Sequence, residues 1–265
     1  MKVNIVVLVK QVPDTETKIK IGADGKSIET SEIKWIMNPY DEYAVEAALR
    51  LQDSVGASVT ILSMGPERTV ESIRTALAMG ADTGVLVDDP ATDGSDALGK
   101  AKVLAAALKS LEFDLVFCGH RAVDSDENQV GIMVAELAGI PHLGLAISAE
   151  VADGKVKVQR PIEGAKVTME ATLPALVTFG GAHAVWNPRY ASLPGIMKAK
   201  KKPLETKTLA DLGLSGGEVG TAAAKVSVTA MEMPQERQAG RKLEGETADK
   251  AKELTRLLHE EAKVI

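Results

Sequence analysis

The sequence predicts an α/β fold: a doubly wound, mostly parallel sheet with an antiparallel extension and a C-terminal arm. Three observations carry that prediction. Four short apolar runs, at 4–10, 58–63, 84–89 and 114–119, have the length and branching of strands buried on both faces. Amphipathic helical patterns separate them, and strands alternating with helices argue for a parallel sheet covered on both sides. From about residue 143 the period changes to two, the mark of an antiparallel meander.

After the first run, KIKI and the turn pair Asp24-Gly25 within 17–34 read as a small β-hairpin hung on the first loop. A helix over 39–53 places Tyr40, Ala44, Ala47, Ala48 and Leu51 on one face; Asn38 reads as its N-cap, Pro39 as its first residue, and Asp41 and Glu42 as acids in its first turn. Helices over 69–79, 95–110 and 127–138 complete the first half, two of them closing at Gly80 and Gly139. GLAISAEV, the Asp153-Gly154 turn, VKVQRPI and KVTMEATL form the meander, and PALVTF (174–179) returns to the main sheet. Residues 186–210, with Pro188, Pro194, Pro203 and the basic run from Lys198 to Lys202, read as a long exposed loop. Residues 213–225 have linker composition, 226–230 read as one more strand, and 247–262 form a terminal helix with Ala251, Leu254, Leu257 and Leu258 on one stripe. The organisation is a nucleotide-binding α/β domain over 1–210 and a linker with a C-terminal arm over 211–265.

Composition narrows the function. A net charge of −6 gives no basic field for nucleic acid, and 3% aromatic residues leave few platforms for stacking bases. The single cysteine, Cys118, allows no internal disulfide and no cysteine-ligated cluster; it reads as a small buried hydrophobe, with a reactive thiol as the alternative. Met1 runs almost directly into an apolar strand, and no apolar stretch is long enough to cross a bilayer, so the expectation is a cytoplasmic protein that is not membrane-embedded.

Ligands of open parallel sheets bind beyond the carboxyl ends of the strands. Segments 10–15, 37–41, 63–67 and 119–131 sit there. The last packs Asp124, Ser125, Asp126, Glu127, Asn128 and Gln129 into the turn before a helix, a site suited to phosphate, with Gly131 open to close approach. A capped loop that only starts a helix is the plain alternative. No glycine-rich phosphate fingerprint is present. His120, His142, His183 and His259 are scattered; Ser63, His120 and Asp124 lack a nucleophile elbow, and Asp124, Asp126 and Glu127 read as solvated caps rather than magnesium ligands. No catalytic set and no metal site emerge, which favours a carrier or binding protein. Beside the basic run, Leu193, Pro194, Ile196, Met197 and Lys198 suit docking, with apolar anchors and lysines that steer encounter.

At these same segments the sequence resembles the electron transfer flavoprotein beta family. VKQVPDT (9–15), MNPYDEYAVEAALRL (37–51), IRTALAMGAD (73–82), GHRAVDSDENQVG (119–131) and PRYASLPGIMKAKKKP (188–203) look like family blocks in family order. The resemblance implies a Rossmann-like sheet of the adenine-nucleotide alpha-hydrolase type and a heterodimer with an alpha subunit. One FAD would lie at the subunit junction, with AMP, or a second FAD in its place, in this subunit. Nucleotide contacts would fall at Leu8, Asn38, Pro39, Tyr40, Asp41, Met64 and the stretch His120, Arg121, Ala122, Val123, Asp124 to Gly131, with phosphate near Asn128, Gln129, Val130 and Gly131. Tyr40 would touch the interface flavin. Residues 186–205 would dock on an acyl-CoA dehydrogenase through Leu193, and a quinone-linked oxidoreductase would be the downstream acceptor. Thr15, KQVPDT and the turn Asp93 to Asp96 point to the subgroup that carries the second FAD, oxidises NADH and bifurcates electrons; Ala97, IRTALAMGAD and the 188–203 block point to the AMP-bearing group.

Overall fold

The structure is a computed structural model that describes residues 3–180, 184–235 and 239–265. Met1 and His183 lie outside them. Strand β1 (Asn4–Leu8) leads to a two-stranded antiparallel ladder, β2 (Gln11–Pro13) with β3 (Trp35–Met37). Helix α1 (Pro39–Val55), strand β4 (Ser58–Met64), helix α2 (Val70–Met79), strand β5 (Thr83–Val87), helix α3 (Ala97–Lys109), strand β6 (Leu115–Gly119) and helix α4 (Val130–Ala138) come next along the chain. Then come β7 (His142–Ala146), β8 (Ser148–Ala152), β9 (Lys155–Ile162), β10 (Ala165–Thr172) and β11 (Ala175–Phe179). Helix α5 (Leu193–Ala199), strand β12 (Leu204–Lys207), a four-residue helix α6 (Gly220–Ala223) and helix α7 (Thr247–Arg256), which continues as a π-helical turn over Leu257–Glu261, close the chain.

The main sheet has seven strands in the order β12-β5-β4-β1-β6-β11-β7, every neighbouring pair parallel. Its side chains alternate between two cores. Ile5 and Val7 join Phe117, Val177 and the inner faces of α1 and α2; Val6 and Leu8 join Leu62, Cys118, Leu176 and the inner faces of α3 and α4. Burial on both faces is why these strands read as continuous apolar runs. The chain runs outward from β1 to β4 and β5, then returns to the other side of β1 at β6. That reversal opens a crevice above the carboxyl ends of β1 and β6.

β8, β9 and β10 make a separate antiparallel sheet. On β9, Val156 and Val158 are buried while Lys155, Lys157 and Gln159 are exposed, the alternation of a sheet with one wet face.

Several local expectations differ from the structure. The 17–34 hairpin holds a single bridge, Ile21 to Ile28, and the true ladder lies outside it in β2 and β3. Asn38 stands at the start of α1, but its side chain makes no cap hydrogen bond. GLAISAEV is divided: β7 pairs with β11 in the main sheet and β8 with β9 in the small one. The 186–210 loop contains α5 and the sheet-edge strand β12, beside β5. Residues 226–230 form no strand. None of the α7 residues is buried, and Val226, Val228, Met233 and Leu254 stand exposed along the arm. Among the described residues no helix is long and apolar enough to cross a membrane.

Candidate functional site

The crevice between β1 and β6 is held open by two side chains from the start of α1. Asp41 is 4% exposed, and its two carboxylate oxygens accept the backbone N–H groups of Lys10 and Gly119, each at 2.8 Å. One side chain thus pins the ends of both central strands to the first turn of α1, where the helix dipole also favours an acid. Burial nevertheless pushes the Asp41 carboxyl up to about 7, against the pull of those two N–H donors. Asn38 works beside it: its amide donates to the Arg121 carbonyl at 2.9 Å and its oxygen accepts the Val123 N–H at 3.2 Å. The Asn38 side chain braces the 119–123 loop, 83 residues away in sequence, instead of capping its own helix.

The same crevice explains two glycines. A Cβ at Gly119 would lie 2.6 Å from Asp41 Oδ1 and from Tyr40 Cβ. A Cβ at Gly131 would lie 2.7 Å from Cys118 Sγ and 3.2 Å from Thr178 Cγ2. The missing Cβ at Gly131 lets helix α4 approach strands β6 and β11 closely.

The resulting cleft encloses about 150 Å³ of free space and opens to solvent on one side. Leu8, Met64, Leu104 and Cys118 supply apolar walls. Burial pushes the Cys118 thiol far up, so it is wall and not nucleophile. At the far side lies the start of α4. Gln129 offers no side-chain cap, and among the described residues the N–H groups of Val130, Gly131 and Ile132 have no acceptor. Asn128 is left-handed (φ 52°) and Gln129 comes after it at φ −122°, a reversal that turns successive N–H groups into one concavity. Unpaired N–H groups and the positive end of a helix suit an anion.

Of the residues expected here, Leu8, Asn38, Asp41, Met64, His120, Arg121, Ala122, Ser125, Glu127, Asn128, Gln129, Val130 and Gly131 line the cleft. Pro39, Tyr40, Val123, Asp124 and Asp126 do not. Asp124 instead pairs with Lys10 at 2.7 Å and Asp126 with Arg121 at 2.8 Å, so both carboxylates close the rim. Tyr40 stands outside, its ring edge-on to His120 with centroids 4.5 Å apart and its hydroxyl accepting from Arg121 at 2.8 Å. Burial holds the His120 imidazole below its ordinary value, and Nδ1 lies 3.1 Å from the Phe179 carbonyl. Ser63 donates to the Val9 carbonyl, so Ser63, His120 and Asp124 each face a different partner. Val9, Lys10, Lys100, Leu104, Cys118 and Gly119 also line the cleft. Lys10 and Gly119 open the strand-end segments 10–15 and 119–131; Lys100 and Leu104 carry no local signal, because only the packing of α3 beside α4 turns them inward.

Against known proteins, the model of the electron transfer flavoprotein domain matches residues 26–212, well over half of the chain. The chain belongs to the electron transfer flavoprotein beta-subunit family. It is 41% identical over 263 residues to the electron transfer flavoprotein subunit beta of Bacillus subtilis, covering 99% of this chain and 100% of that one. It is 41% identical over 242 residues to the subunit beta of Mus musculus, covering 90% and 91% of the two chains. The Bradyrhizobium diazoefficiens subunit beta is 42% identical over 211 residues, covering 79% and 83%.

A second region of this family member has a different character. Around α5, Tyr190 is 98% exposed, Leu193 75% and Met197 60%, with Pro194, Ile196 and Lys198 also exposed. Ser192 caps α5, accepting the Gly195 N–H at 3.1 Å. The segment is fastened at both ends. On one side Arg189 grips buried Glu46 through its Nε at 2.8 Å and reaches Asp53 at 2.8 Å, while Arg50 lies 5.0 Å from the Trp186 ring centre. On the other, Arg74 donates to the carbonyls of Ala199 and Lys202, and the Lys202 ammonium donates to the carbonyls of Leu77, Gly80 and Ala81 at the end of α2. Burial holds the Lys202 amine below its ordinary value. The expectation that the whole basic run steers encounter is thus corrected at Lys202, which caps a helix.

Proposed function

We propose that the chain is the nucleotide-bearing subunit of a cytoplasmic, heterodimeric electron transfer flavoprotein, with AMP in the cleft and FAD at its junction with an alpha subunit. The carrying observation is the uncapped start of α4 facing a cleft at the sheet's reversal point. An adenine fits the apolar walls of Leu8, Met64, Leu104 and Cys118. A phosphate fits the unpaired N–H groups of Val130 and Gly131. Asn38 and Asp41 do no chemistry; they hold loop and strand ends so that these groups keep their positions. FAD, when bound, supplies the redox chemistry. Tyr40, outside the cleft beside His120 and Arg121, offers an aromatic face on the side where the flavin would approach. The exposed apolar face of α5 suits docking on an acyl-CoA dehydrogenase-type donor, with a quinone-linked oxidoreductase as acceptor. The exposed Val226, Val228, Met233 and Leu254 suit packing of the arm on alpha.

A second FAD in place of AMP, with NADH oxidation and bifurcation, is the rival reading. It needs a second phosphate site near the Asp93 to Asp96 turn. There the Asp96 carboxylate caps α3 and accepts N–H groups from Gly99, Lys225 and Val226, while Ser95 accepts from Gly220. A phosphate at that helix start would meet a carboxylate, which supports the mononucleotide. Co-expression with the alpha subunit, denaturation and chromatography of the released nucleotides test the choice. One FAD and one AMP per heterodimer are expected; two FAD would establish the rival, and no nucleotide beyond the FAD would refute both.

A further inference from the structure

We propose that Lys100 makes the cleft selective for a phosphorylated ligand, its ammonium pairing with the phosphate at the mouth of the site. The inference rests on the nucleotide reading above. Three cationic side chains line the cleft: Lys10, Lys100 and Arg121. Two of them are already neutralised. Lys10 pairs with Asp124 at 2.7 Å, and Arg121 pairs with Asp126 at 2.8 Å while donating to the Tyr40 hydroxyl. Among the described residues Lys100 has no carboxylate within ion-pair distance, and its ammonium donates no hydrogen bond. It is half-buried on α3, one turn before Leu104, whose side chain is cleft wall. The starts of helices in a parallel sheet lie at the carboxyl ends of the strands, so Lys100 stands nearer the mouth than Leu104, on the helix packed against α4.

The chemistry that completes this arrangement is a compact anion. Inorganic phosphate would leave the apolar walls of Leu8, Met64, Leu104 and Cys118 without a partner, whereas a base would cover them. A mononucleotide has both parts. Glu127 also lines the rim, but it is exposed, where its field is weakened by solvent. Because the other two cations already hold their own carboxylates, the selectivity between a nucleoside and its phosphate falls on Lys100 and on the N–H groups of α4. Lys100 is a positioning and specificity residue; it takes no part in electron transfer.

The full chain, stripped of nucleotide in urea and refolded, is titrated with AMP and with adenosine as wild type, Lys100→Met and Lys100→Arg. Removing one charge-assisted contact is expected to weaken AMP binding roughly ten- to a hundredfold in Lys100→Met. Adenosine affinity is expected to stay unchanged, Lys100→Arg to keep most of the AMP affinity, and the salt dependence of AMP binding to flatten in Lys100→Met. Equal AMP affinity in wild type and Lys100→Met overturns the proposal, as does a parallel loss of adenosine binding. A wild-type chain that binds neither compound overturns the nucleotide reading itself, and the role of Lys100 with it.

Discussion

The cleft and the α5 segment are both built largely from connections between sheet strands, yet they hold their shapes by different means. In the cleft, the ordering groups are buried and polar. Asp41 and Asn38 bind backbone groups of strands and loop that are far away in sequence. In the α5 segment the polar fastenings sit at the two ends, at Arg189 and Lys202, and the middle presents Leu193, Ile196 and Met197 to solvent. The first arrangement suits a ligand that must meet fixed N–H groups. The second suits a partner surface, where apolar residues have to remain available yet not collapse onto their own protein.

The sharpest way to break this contrast is to remove the cleft's central brace. Asp41→Ala leaves the N–H groups of Lys10 and Gly119 buried without acceptors, at about 1–3 kcal/mol each. Urea unfolding should show a loss of roughly 2–5 kcal/mol together with loss of bound nucleotide. A pH series sharpens the point. Because the folded carboxyl is raised from 3.8 to about 7, the folded state holds a proton that the unfolded state has released between those values. The contribution of Asp41 is therefore full below about pH 4 and is lost as pH rises through about 7. The stability gap between wild type and Asp41→Ala should narrow from pH 5 to pH 8; a gap that widens would show that the two N–H donors outweigh burial.

Much of the sheet was legible because burial on both faces writes itself as apolar runs, and the reversal at β6 is the usual result of strands and helices in alternation. Segments 10–15, 63–67 and 119–131 were legible for the same reason, since each lies directly after one of the apolar runs, and 37–41 was legible from the Asn38-Pro39 helix start. What escaped was everything that depends on a distant partner. Asn38 before Pro39 reads as a cap, but the peptide groups of 121–123 claim its side chain. VSVTA alternates as a strand should, yet no sheet edge receives it. The region 186–210 reads as a loop because prolines read as breakers, although Ser192 with Pro194 two residues on is also a helix start, and β12 becomes a strand only through the free edge of β5. Lys202 looks like one more surface lysine until the end of α2 is packed beneath it.

The α5 fastenings are the next test. Lys202→Met removes the ammonium that satisfies three carbonyls at the end of α2, so a loss of about 1–2 kcal/mol and a fall of a few degrees in melting temperature are expected. The cleft lies on other elements, so nucleotide content should not change. Loss of nucleotide in this variant would mean that the two regions are coupled and that the contrast drawn between them is wrong.

Leu193→Ala should have the smallest effect on the protein and the most selective effect on its function. Leu193 is 75% exposed, so truncating it removes little buried surface, and stability should stay within about 0.5 kcal/mol of wild type. If α5 is the docking surface, the same side chain becomes a central apolar anchor once a partner covers it, and its loss should raise the dissociation constant for the donor flavoprotein by roughly tenfold or more. Rapid-mixing kinetics of the heterodimer with an acyl-CoA dehydrogenase would register this as slower transfer at low donor concentration that recovers at saturation, with flavin and nucleotide content unchanged. Slower transfer that persists at saturating donor would place Leu193 in the geometry of the transfer complex rather than in its affinity. Transfer indistinguishable from wild type at every concentration would leave the exposed face of α5 without the partner proposed for it, and the donor would have to meet the protein elsewhere.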